Sequence, residues 1–175
     1  MKKLLILSAI FLVAAISWGF AQEEASPKAL KAIQKQLFKM QSSAKANQMQ
    51  GVADMYLDQG YLLSAGAKNI TGRDQINEYW LNLKNVVDWK LESKLFAMDA
   101  AKIYAHPHYQ QLKNKPPDWK DLHLDLQNVV YELGVSSLTI TWEGKPHTSV
   151  VTYILLWQKQ TDGNYKILVD TYSGE

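Results

Sequence analysis

Beyond the N-terminal segment, the first regular pattern of apolar positions covers residues 28–46. These positions recur every three or four residues, so they fall on one side of a helix, while the lysines of the segment fall on the other. Ser26 and Pro27 precede the pattern as an N-cap residue and a proline at the first helical position. The spacing predicts one amphipathic helix over 28–46. Its apolar positions are Leu30, Ile33, Leu37, Met40 and Ala44.

Two more helices and a short strand are predicted next. Residues 48–56 have a short amphipathic pattern typical of a second helix, and residues 61–64 form an apolar strand. A third helix is expected to begin within 71–74, followed by an apolar stripe at helical spacing. The stripe consists of Ile76, Tyr79, Trp80 and Leu83.

From residue 87 the pattern changes to alternation of apolar and charged residues, which is typical of a half-buried strand. The alternating apolar positions are Val87, Trp89, Leu91 and Leu95. Further strands are predicted over 129–132, 135–142, 149–158 and 165–172, with hairpin turns at 143–146 and 161–164. Helices come first and antiparallel strands follow, which predicts an α+β fold with the helices on one face of a sheet.

Two segments do not fit this simple scheme. Residues 150–157 are apolar at odd and even positions alike, so both faces of this strand need cover. The helices can cover one face and a second subunit the other, which predicts a homodimer; the alternative is burial on both sides by the same chain. Residues 100–123 follow neither period and contain three prolines, which is typical of a functional or mobile segment, so we interpret them as a candidate lid.

The first 21 residues have the order of a secretory signal peptide. Two lysines precede an apolar run over 4–16, and Gly19 and Ala21 are the small residues expected before a cleavage point. The run has 13 residues, fewer than the roughly 20 that a membrane-spanning helix needs. An exported domain over 22–175, periplasmic or secreted, is therefore predicted, with an uncleaved membrane anchor as the alternative.

Composition narrows the range of partners. Two of the 19 basic residues lie in the signal segment, so the remaining chain has 17 basic residues against 17 acidic ones. A neutral domain with a single arginine lacks the basic surface that nucleic acids or anionic membranes require. Without cysteine, disulfides, thiol nucleophiles and cysteine metal sites are excluded. The sequence shows no phosphate-cradling glycine loop or nucleophile elbow, so no cofactor is predicted.

Four stretches resemble the nuclear transport factor 2-like superfamily. They are residues 50–56, 61–63 and 71–76 near the start and 157–170 at the last hairpin. Relative to this family, residues 100–123 look like an insertion. The nearest group is domain of unknown function 4440, beside the SnoaL-like cyclases and ketosteroid isomerases. The resemblance implies a cone-shaped fold in which three N-terminal helices pack on a strongly curved antiparallel sheet. It also implies a dimer formed through the outer face of that sheet.

The same resemblance bears on isomerase chemistry. Ketosteroid isomerases use a tyrosine on the first helix and an aspartate on the first short strand. Counting along the shared stretches places Met40 and Ser64 at these two positions. A thioether donates no hydrogen bond, and an unassisted serine is no base near neutral pH. Isomerase chemistry of that type is therefore disfavoured.

Asp170 is the strongest candidate for chemistry. It follows the apolar residues 167–169 of a strand, where a carboxylate needs a compensating role. Facing a pocket, it would have a raised pKa and act as an acid–base group, or bind a polar group of a ligand. The alternative is a structural role, paired with Arg73 or with backbone donors. Arg73, the only arginine, could itself clamp an anionic ligand, since its planar fork fits carboxylates; the alternative is a structural role, bonded to Asp170 or to a backbone carbonyl.

Five aromatic residues complete the predicted binding site, with plain core packing as the alternative. They are Tyr56, Tyr61, Trp80, Tyr153 and Trp157. A metal site would have to use a small group near the middle of the chain, which consists of His106, His108, Asp121 and His123. Pro107 disfavours a shared strand face for the first two histidines, and no third ligand follows at a defined spacing. An exposed loop and no metal site are predicted there.

Three functions are compatible with these patterns. The first is an exported, non-catalytic module that binds a small apolar or amphipathic molecule in an apolar, aromatic pocket. The second is an isomerase, cyclase or lyase that uses Asp170 as its acid–base group. The third is a dimeric interaction module without a ligand, whose partner would bind through residues 100–123.

Overall fold

The structure, a computed structural model, describes residues 25–174, so the predicted signal peptide at 1–21 lies outside the described residues. Its six strands are β1 Tyr56–Ser64, β2 Ile70–Thr71, β3 Val86–Ala97, β4 Val129–Trp142, β5 Lys145–Lys159 and β6 Tyr165–Gly174. They form one curled sheet in the order β2-β1-β6-β5-β4-β3. The α+β class predicted from the order of the patterns is confirmed.

Three helices precede the long strands, as predicted, and two short ones lie within the insertion. The helices are α1 Pro27–Lys45, α2 Met49–Ala53, α3 Gly72–Asn82, α4 Ala100–Ala105 and α5 Pro107–Gln110. At the start of α1, the Ser26 hydroxyl accepts a hydrogen bond of 3.2 Å from the amide of Ala29, which is the expected N-cap. Within residues 25–174, no helix is both long and apolar enough to cross a bilayer.

The second helix ends earlier than predicted, and the first strand begins earlier. Because the carbonyl of Met55 accepts a hydrogen bond of 2.8 Å from the amide of Ile167 in β6, the chain leaves the helix before Tyr56 and joins the sheet there. The expected strand over 61–64 is therefore only the second half of β1. Tyr56 becomes a strand residue instead of the last residue of a helix.

The sheet is mixed, whereas the sequence predicted an antiparallel one. β1 runs parallel to β6, with Leu62 opposite Asp170, and every other pair of neighbouring strands is antiparallel. A hairpin fixes the relative direction only of strands that it joins. β6 reaches β1 after a meander that starts at the far edge of the sheet, so their direction follows from the path of the chain.

β4 and β5 form one long hairpin, although two separate strands were predicted over 129–142. β4 continues through Gly134 without a break. A Cβ atom at this position would lie 2.3 Å from the hydroxyl oxygen of Tyr153 on β5. The glycine therefore leaves room for a tyrosine that crosses the neighbouring strand. The turn is made by Glu143 and Gly144, both at positive φ (49° and 75°), which suits a two-residue hairpin.

Side chains on the two faces of the sheet fill two separate cores. The core on the concave face, under α1 to α3, includes Ile33, Met40, Ile76, Leu155 and Trp157. The core on the outer face includes Ile103, Trp119, Leu133, Ile154 and Leu156. Neighbouring residues of β5 thus belong to different cores, which explains why residues 150–157 are apolar at both odd and even positions.

Residues 100–123 cover the outer face of the sheet and do not contribute to the cavity described below, so their interpretation as a lid is wrong. Three buried hydroxyls of the sheet bind this segment. Thr152 lies 3.1 Å from His108 Nε2, Thr171 donates to the carbonyl of Pro117 at 2.7 Å, and Ser173 donates to that of Asn114 at 2.8 Å. These bonds satisfy polar groups that an apolar cover would leave unpaired.

The outer face is thus covered by the same chain, which is the alternative that the sequence left open for residues 150–157. Beyond the insertion, the surface of the β4–β5 hairpin carries exposed hydroxyls, and Thr139 bonds Thr148 across the strands at 2.8 Å. The apolar surface that argued for a second subunit is therefore largely occupied. The homodimer stays a prediction of the family resemblance.

Candidate functional site

A cavity of about 190 Å³ lies on the concave face, between the helices and the sheet. Met40 from α1 and Tyr79 from α3 line it on the helix side, and residues of β3 to β6 line it on the sheet side. The residues that carry its polar and aromatic character are Tyr79, Trp89, Ser136, Tyr153, Asp170 and Tyr172. The remainder of the wall is mostly aliphatic, so the site combines an apolar surface with a few hydrogen-bonding groups.

Asp170 lies in this wall and is 7% exposed. It occupies the middle of β6, between Leu62 on β1 and Leu155 on β5. Its Oδ2 accepts a hydrogen bond of 2.5 Å from the hydroxyl of Tyr56. Among the described residues, none donates a hydrogen bond to Oδ1, which leaves this oxygen for a group inside the cavity.

The surroundings of Asp170 favour its protonated form. Burial raises the pKa of this carboxyl to about 6, the nearby charge of Glu132 acts in the same direction, and the hydrogen bond from Tyr56 opposes both. Burial and the carboxylate beside it raise the pKa of Tyr56 well above its ordinary value. Tyr56 therefore stays a hydrogen-bond donor, while Asp170 changes its charge within the physiological range.

A second buried carboxylate, Glu132, lies on the same face of the sheet and was missed by the sequence analysis. It is fully buried and accepts three hydrogen bonds: from Ser93 Oγ at 2.6 Å, Tyr153 OH at 2.7 Å and Trp157 Nε1 at 2.7 Å. Burial raises its pKa, and these bonds oppose the rise. Glu132 faces Leu155 across β4–β5, and Leu155 faces Asp170 across β5–β6. The two carboxylates are therefore two strands apart.

Two further pairs of side chains give the cavity its polar edges. The hydroxyls of Tyr79 on α3 and Tyr172 on β6 lie 2.9 Å apart. Trp89 Nε1 on β3 donates to Ser136 Oγ on β4 at 2.7 Å. In the Tyr79–Tyr172 pair one hydroxyl donates and the other accepts, so the accepting tyrosine keeps an O–H that can donate to a ligand. Asp170 is the carboxyl of the wall and has one oxygen open to accept a hydrogen bond.

The predicted aromatic set divides between the cavity and the two cores. Tyr153 lines the cavity, and Tyr56 lies behind it as the donor to Asp170. Trp80 and Trp157 belong to the concave core, while Tyr61 packs against the outer core and so lies away from the cavity. Within residues 25–174, Trp80 Nε1 is the only enclosed side-chain nitrogen or oxygen without a hydrogen-bond partner.

Sequence reasoning missed three lining aromatics, namely Tyr79, Trp89 and Tyr172. The sequence pattern around each of them could have predicted a position on the concave face. Tyr79 belongs to the predicted apolar stripe of the third helix, Trp89 belongs to the first alternating strand, and Tyr172 lies two residues after Asp170 on the same face of its strand.

Arg73 is not the partner of Asp170, and it lies outside the cavity. Its guanidinium donates to the carbonyls of Ala53 and Tyr56 and forms an ion pair with Asp58 at 3.1 Å. These contacts tie the start of α3 to the turn between α2 and β1. The structural role weighed in the sequence analysis is thus present: Arg73 bonds backbone carbonyls, as one alternative expected, and pairs with Asp58 instead of Asp170.

Two histidines of the insertion take part in hydrogen bonds, one with the sheet and one within the insertion. His108 bonds Thr152, and His106 Nδ1 accepts a hydrogen bond of 3.2 Å from the amide of His108. His123 and Asp121 are exposed at the far end of the segment. In the part of the chain that the structure describes, no three potential metal ligands come together.

Comparison with known proteins identifies the fold. No family model and no curated protein matches the chain. A ketosteroid isomerase-like protein from Erwinia carotovora atroseptica is 15% identical with a TM-score of 0.59, over 85% of this chain and 98% of that one. A nuclear transport factor 2-like protein from Salmonella enterica serovar Typhimurium is 13% identical with a TM-score of 0.56, over 86% and 93%.

A further neighbour is a protein from Catenulispora acidiphila solved in complex with S-DNPA. It is 10% identical with a TM-score of 0.53, over 83% of this chain and 92% of that one. At such low identities the likeness shows the fold alone. The chain has the nuclear transport factor 2-like fold that its sequence predicted, and the finer link to domain of unknown function 4440 stays a prediction.

Proposed function

We propose that the protein binds a small amphipathic molecule in the concave cavity, with the polar group of the ligand at Asp170. The observation that carries the proposal is a buried carboxyl group in the cavity wall, with one oxygen bonded to Tyr56 and the other without a hydrogen-bond donor among the described residues. A buried carboxylate without a cationic partner is costly for folding, so the presence of Asp170 in an apolar wall favours a role in binding. The complex of one fold neighbour with S-DNPA supports the same reading.

The size of the cavity limits the ligand. Its volume of about 190 Å³ is below the roughly 300–1,000 Å³ of sites for drug-sized molecules. A body of one or two rings, or a short branched chain, fits this space. The wall offers aliphatic contacts from Leu91, Leu138 and Val151 for that body, and Asp170 offers an acceptor for its polar group.

A pair of neighbouring valines tests where the ligand binds. Val151 lines the cavity, whereas Val150 is on the opposite side of the same strand and is 39% exposed. Val151→Phe should fill part of the cavity and weaken binding at least tenfold, about 1.4 kcal/mol, because ligand and ring compete for the same space. Val150→Phe should leave the affinity unchanged. Ligands come from a thermal-shift screen of single- and two-ring alcohols, amines and carboxylic acids, with affinities measured by calorimetry.

Two outcomes would contradict this proposal. In the first, none of the compounds stabilises the wild-type protein against heat. In the second, a compound binds and the two valine variants bind it equally well, which would place the ligand outside the cavity.

Enzymatic proton transfer is the second candidate, and one observation favours it. A general acid–base group works best when its pKa is near the working pH, and burial raises the pKa of Asp170 to about 6. Such an enzyme would take a proton from a carbon of the bound molecule onto Oδ1. It would return that proton to the same or a neighbouring carbon in an isomerase, or to the leaving group expelled from the neighbouring carbon in a lyase; in a cyclase, the carbanion would attack an electrophilic carbon of the same molecule, whose oxygen would take the proton. This describes an isomerase, cyclase or lyase with Asp170 as the acid–base group.

Deuterium exchange separates the enzyme from the binding module. A ligand from the screen that carries an acidic C–H bond is incubated with protein in D₂O and analysed by mass spectrometry. Catalysis predicts faster uptake of deuterium with wild-type protein and loss of that acceleration with Asp170→Asn, which must still bind and fold. Exchange at the uncatalysed rate with every bound compound would leave a binding protein.

The third function, an interaction module whose partner binds through residues 100–123, has less support. The concave face contains a cavity beside its packed core, and residues 100–123 are bonded to the outer face of the sheet of the same chain. Export stays a proposal that rests on residues 1–21. If the segment is cleaved as proposed, the secreted or periplasmic product begins at Gln22.

The homodimer also stays a proposal. Light scattering tests it, since a dimer has twice the mass of the monomer.

A further inference from the structure

The charges around the cavity point to the class of its ligand. In the part of the chain that the structure describes, the residues lining the cavity include no lysine, arginine or histidine, while one of them is Asp170 with its carboxyl group. The single arginine is bound to Asp58 and to backbone carbonyls elsewhere. An anionic ligand would therefore meet a carboxylate without any compensating cation.

Among residues 25–174, no cation pairs with either buried carboxylate of the concave face. Asp170 receives its hydrogen bond from Tyr56, and Glu132 receives three from neutral donors: a serine, a tyrosine and a tryptophan. Neutral donors stabilise the ionised carboxylates but do not cancel their charge. When both are ionised, the interior of this face is negative, and the open oxygen of Asp170 is where a cation can approach.

Aromatic rings surround the same space. Tyr79, Trp89, Tyr153 and Tyr172 all line the cavity. A cation is attracted to the electron-rich face of an aromatic ring, most strongly to tryptophan, and more so when water is excluded. Carboxylate and rings together favour a positively charged guest over a neutral one of the same shape.

We propose that the ligand is a small organic cation, an ammonium group on an apolar body of one or two rings, which donates to Asp170 Oδ1 and packs among these rings. This inference rests on the proposed binding function and assigns its ligand class. The open oxygen accepts an N–H bond, the described residues of the lining include no competing cation, and a body of one or two rings matches the cavity volume of about 190 Å³.

The inference predicts how binding depends on pH. A cation needs the ionised carboxylate, so its affinity should fall as the pH drops through the pKa of Asp170. The other titratable groups facing Asp170 from the surrounding elements are Tyr56 (β1), Tyr79 (α3), Glu132 (β4), Tyr153 (β5) and Tyr172 (β6). Burial raises the pKa of Tyr56, Tyr79 and Tyr153, which remain neutral, and α1 contributes only Met40.

Matched pairs of compounds test the inference by calorimetry. Each pair has one body and differs only in its polar group, as in 2-phenylethylamine against 2-phenylethanol, with phenylacetate as the anion; indole-based and cyclohexyl pairs widen the range. At about pH 7.5 we expect at least one amine to bind about tenfold or more tightly than its alcohol. From there to about pH 5 the amine should lose about tenfold in affinity, since a carboxyl with a pKa of about 6 is then mostly protonated.

Two controls make the test independent of any one variant. Asp170→Asn should remove the preference for the amine, provided that its circular dichroism and melting curve show a folded protein. On the wild-type protein near pH 6, binding should release a proton, seen as a dependence of the calorimetric heat on the ionisation enthalpy of the buffer. The release follows because the bound cation lowers the pKa of Asp170.

The failures of the two proposals can be told apart. If alcohols or acids bind as tightly as their amines, or amine binding releases no proton, the cation inference is overturned and binding in the cavity stands. If no compound of any class binds, both are overturned. If amines bind but Val151→Phe binds them unchanged, their site is not this cavity and both fail.

Discussion

Replacing Trp119 by alanine is expected to lower the free energy of unfolding by about 3–5 kcal/mol, although this residue lies in the segment without a regular sequence pattern. Its side chain is 3% exposed. Its ring lies 5.8 Å from that of Tyr104 and 5.9 Å from that of Tyr131 on β4. The large loss follows because the ring fills the outer core between the insertion and the sheet, and its removal leaves a cavity.

Trp142 provides the matched control for this prediction. It is 61% exposed at the tip of the β4–β5 hairpin, so Trp142→Ala should change the stability by no more than about 0.5 kcal/mol. Urea denaturation of the two variants and the wild type measures both values. Equal effects of the two substitutions would show that residues 100–123 are not docked on the sheet, and the account of the outer face would fail.

Replacing Glu132 by alanine is expected to cost about 3 kcal/mol or more. The substitution leaves the donors of Ser93, Tyr153 and Trp157 buried without an acceptor, and each unsatisfied donor costs about 1–3 kcal/mol. Exposed Glu143 in the hairpin turn is the control, for which alanine should have little effect. Thermal and urea denaturation measure the difference.

The three donors should also be energetically coupled through Glu132. Once the acceptor is gone, Tyr153→Phe removes a donor that no longer has a partner, so it should cost much less in the Glu132→Ala background than in the wild type. Strictly additive effects of the two substitutions would mean that water reaches these groups. The carboxylate would then not be the centre of a dry network.

The two buried carboxylates illustrate what a sequence can and cannot predict about a site. A lone acid in an apolar strand is unfavourable unless it has a role, and this reasoning identified Asp170. It applies equally to Glu132, which stands within the apolar residues 129–133. Glu132 was nevertheless missed: it stood at the end of a strand predicted over 129–132, with the next strand predicted from 135, whereas the structure has one continuous strand in which Gly134 makes room for Tyr153.

The partners of these groups depend on contacts between distant parts of the chain. Tyr56 and Asp170 are 114 positions apart, and they meet because β1 lies beside β6 in parallel. Nothing in the local pattern around Tyr56, which was assigned to a helix, indicates that pairing. Similarly, helical spacing placed Tyr79 and Trp80 in one stripe, and only the packing of α3 on the sheet decides that Tyr79 lines the cavity.

The fold class was more predictable than the site, because it follows from the order and period of apolar positions. Three helices followed by strands of period two limit the arrangement to helices on one face of a sheet. The cover of the other face was not predictable, since the insertion binds it through hydroxyls of the sheet such as Thr171 and Ser173. These residues look like ordinary polar positions in a strand.

A titration of the Asp170 carboxyl tests the central claim most directly. Carbon-detected NMR of protein labelled at aspartate carboxyls, with the Asp170 signal assigned by its loss in Asp170→Asn, follows its protonation with pH. We expect a midpoint of about 6, because the group is buried in an apolar wall, and a shift of that midpoint when a cavity ligand is bound. A midpoint at the ordinary value near 3.8, unchanged by every ligand, would show that the carboxyl is solvated and has no part in a binding site.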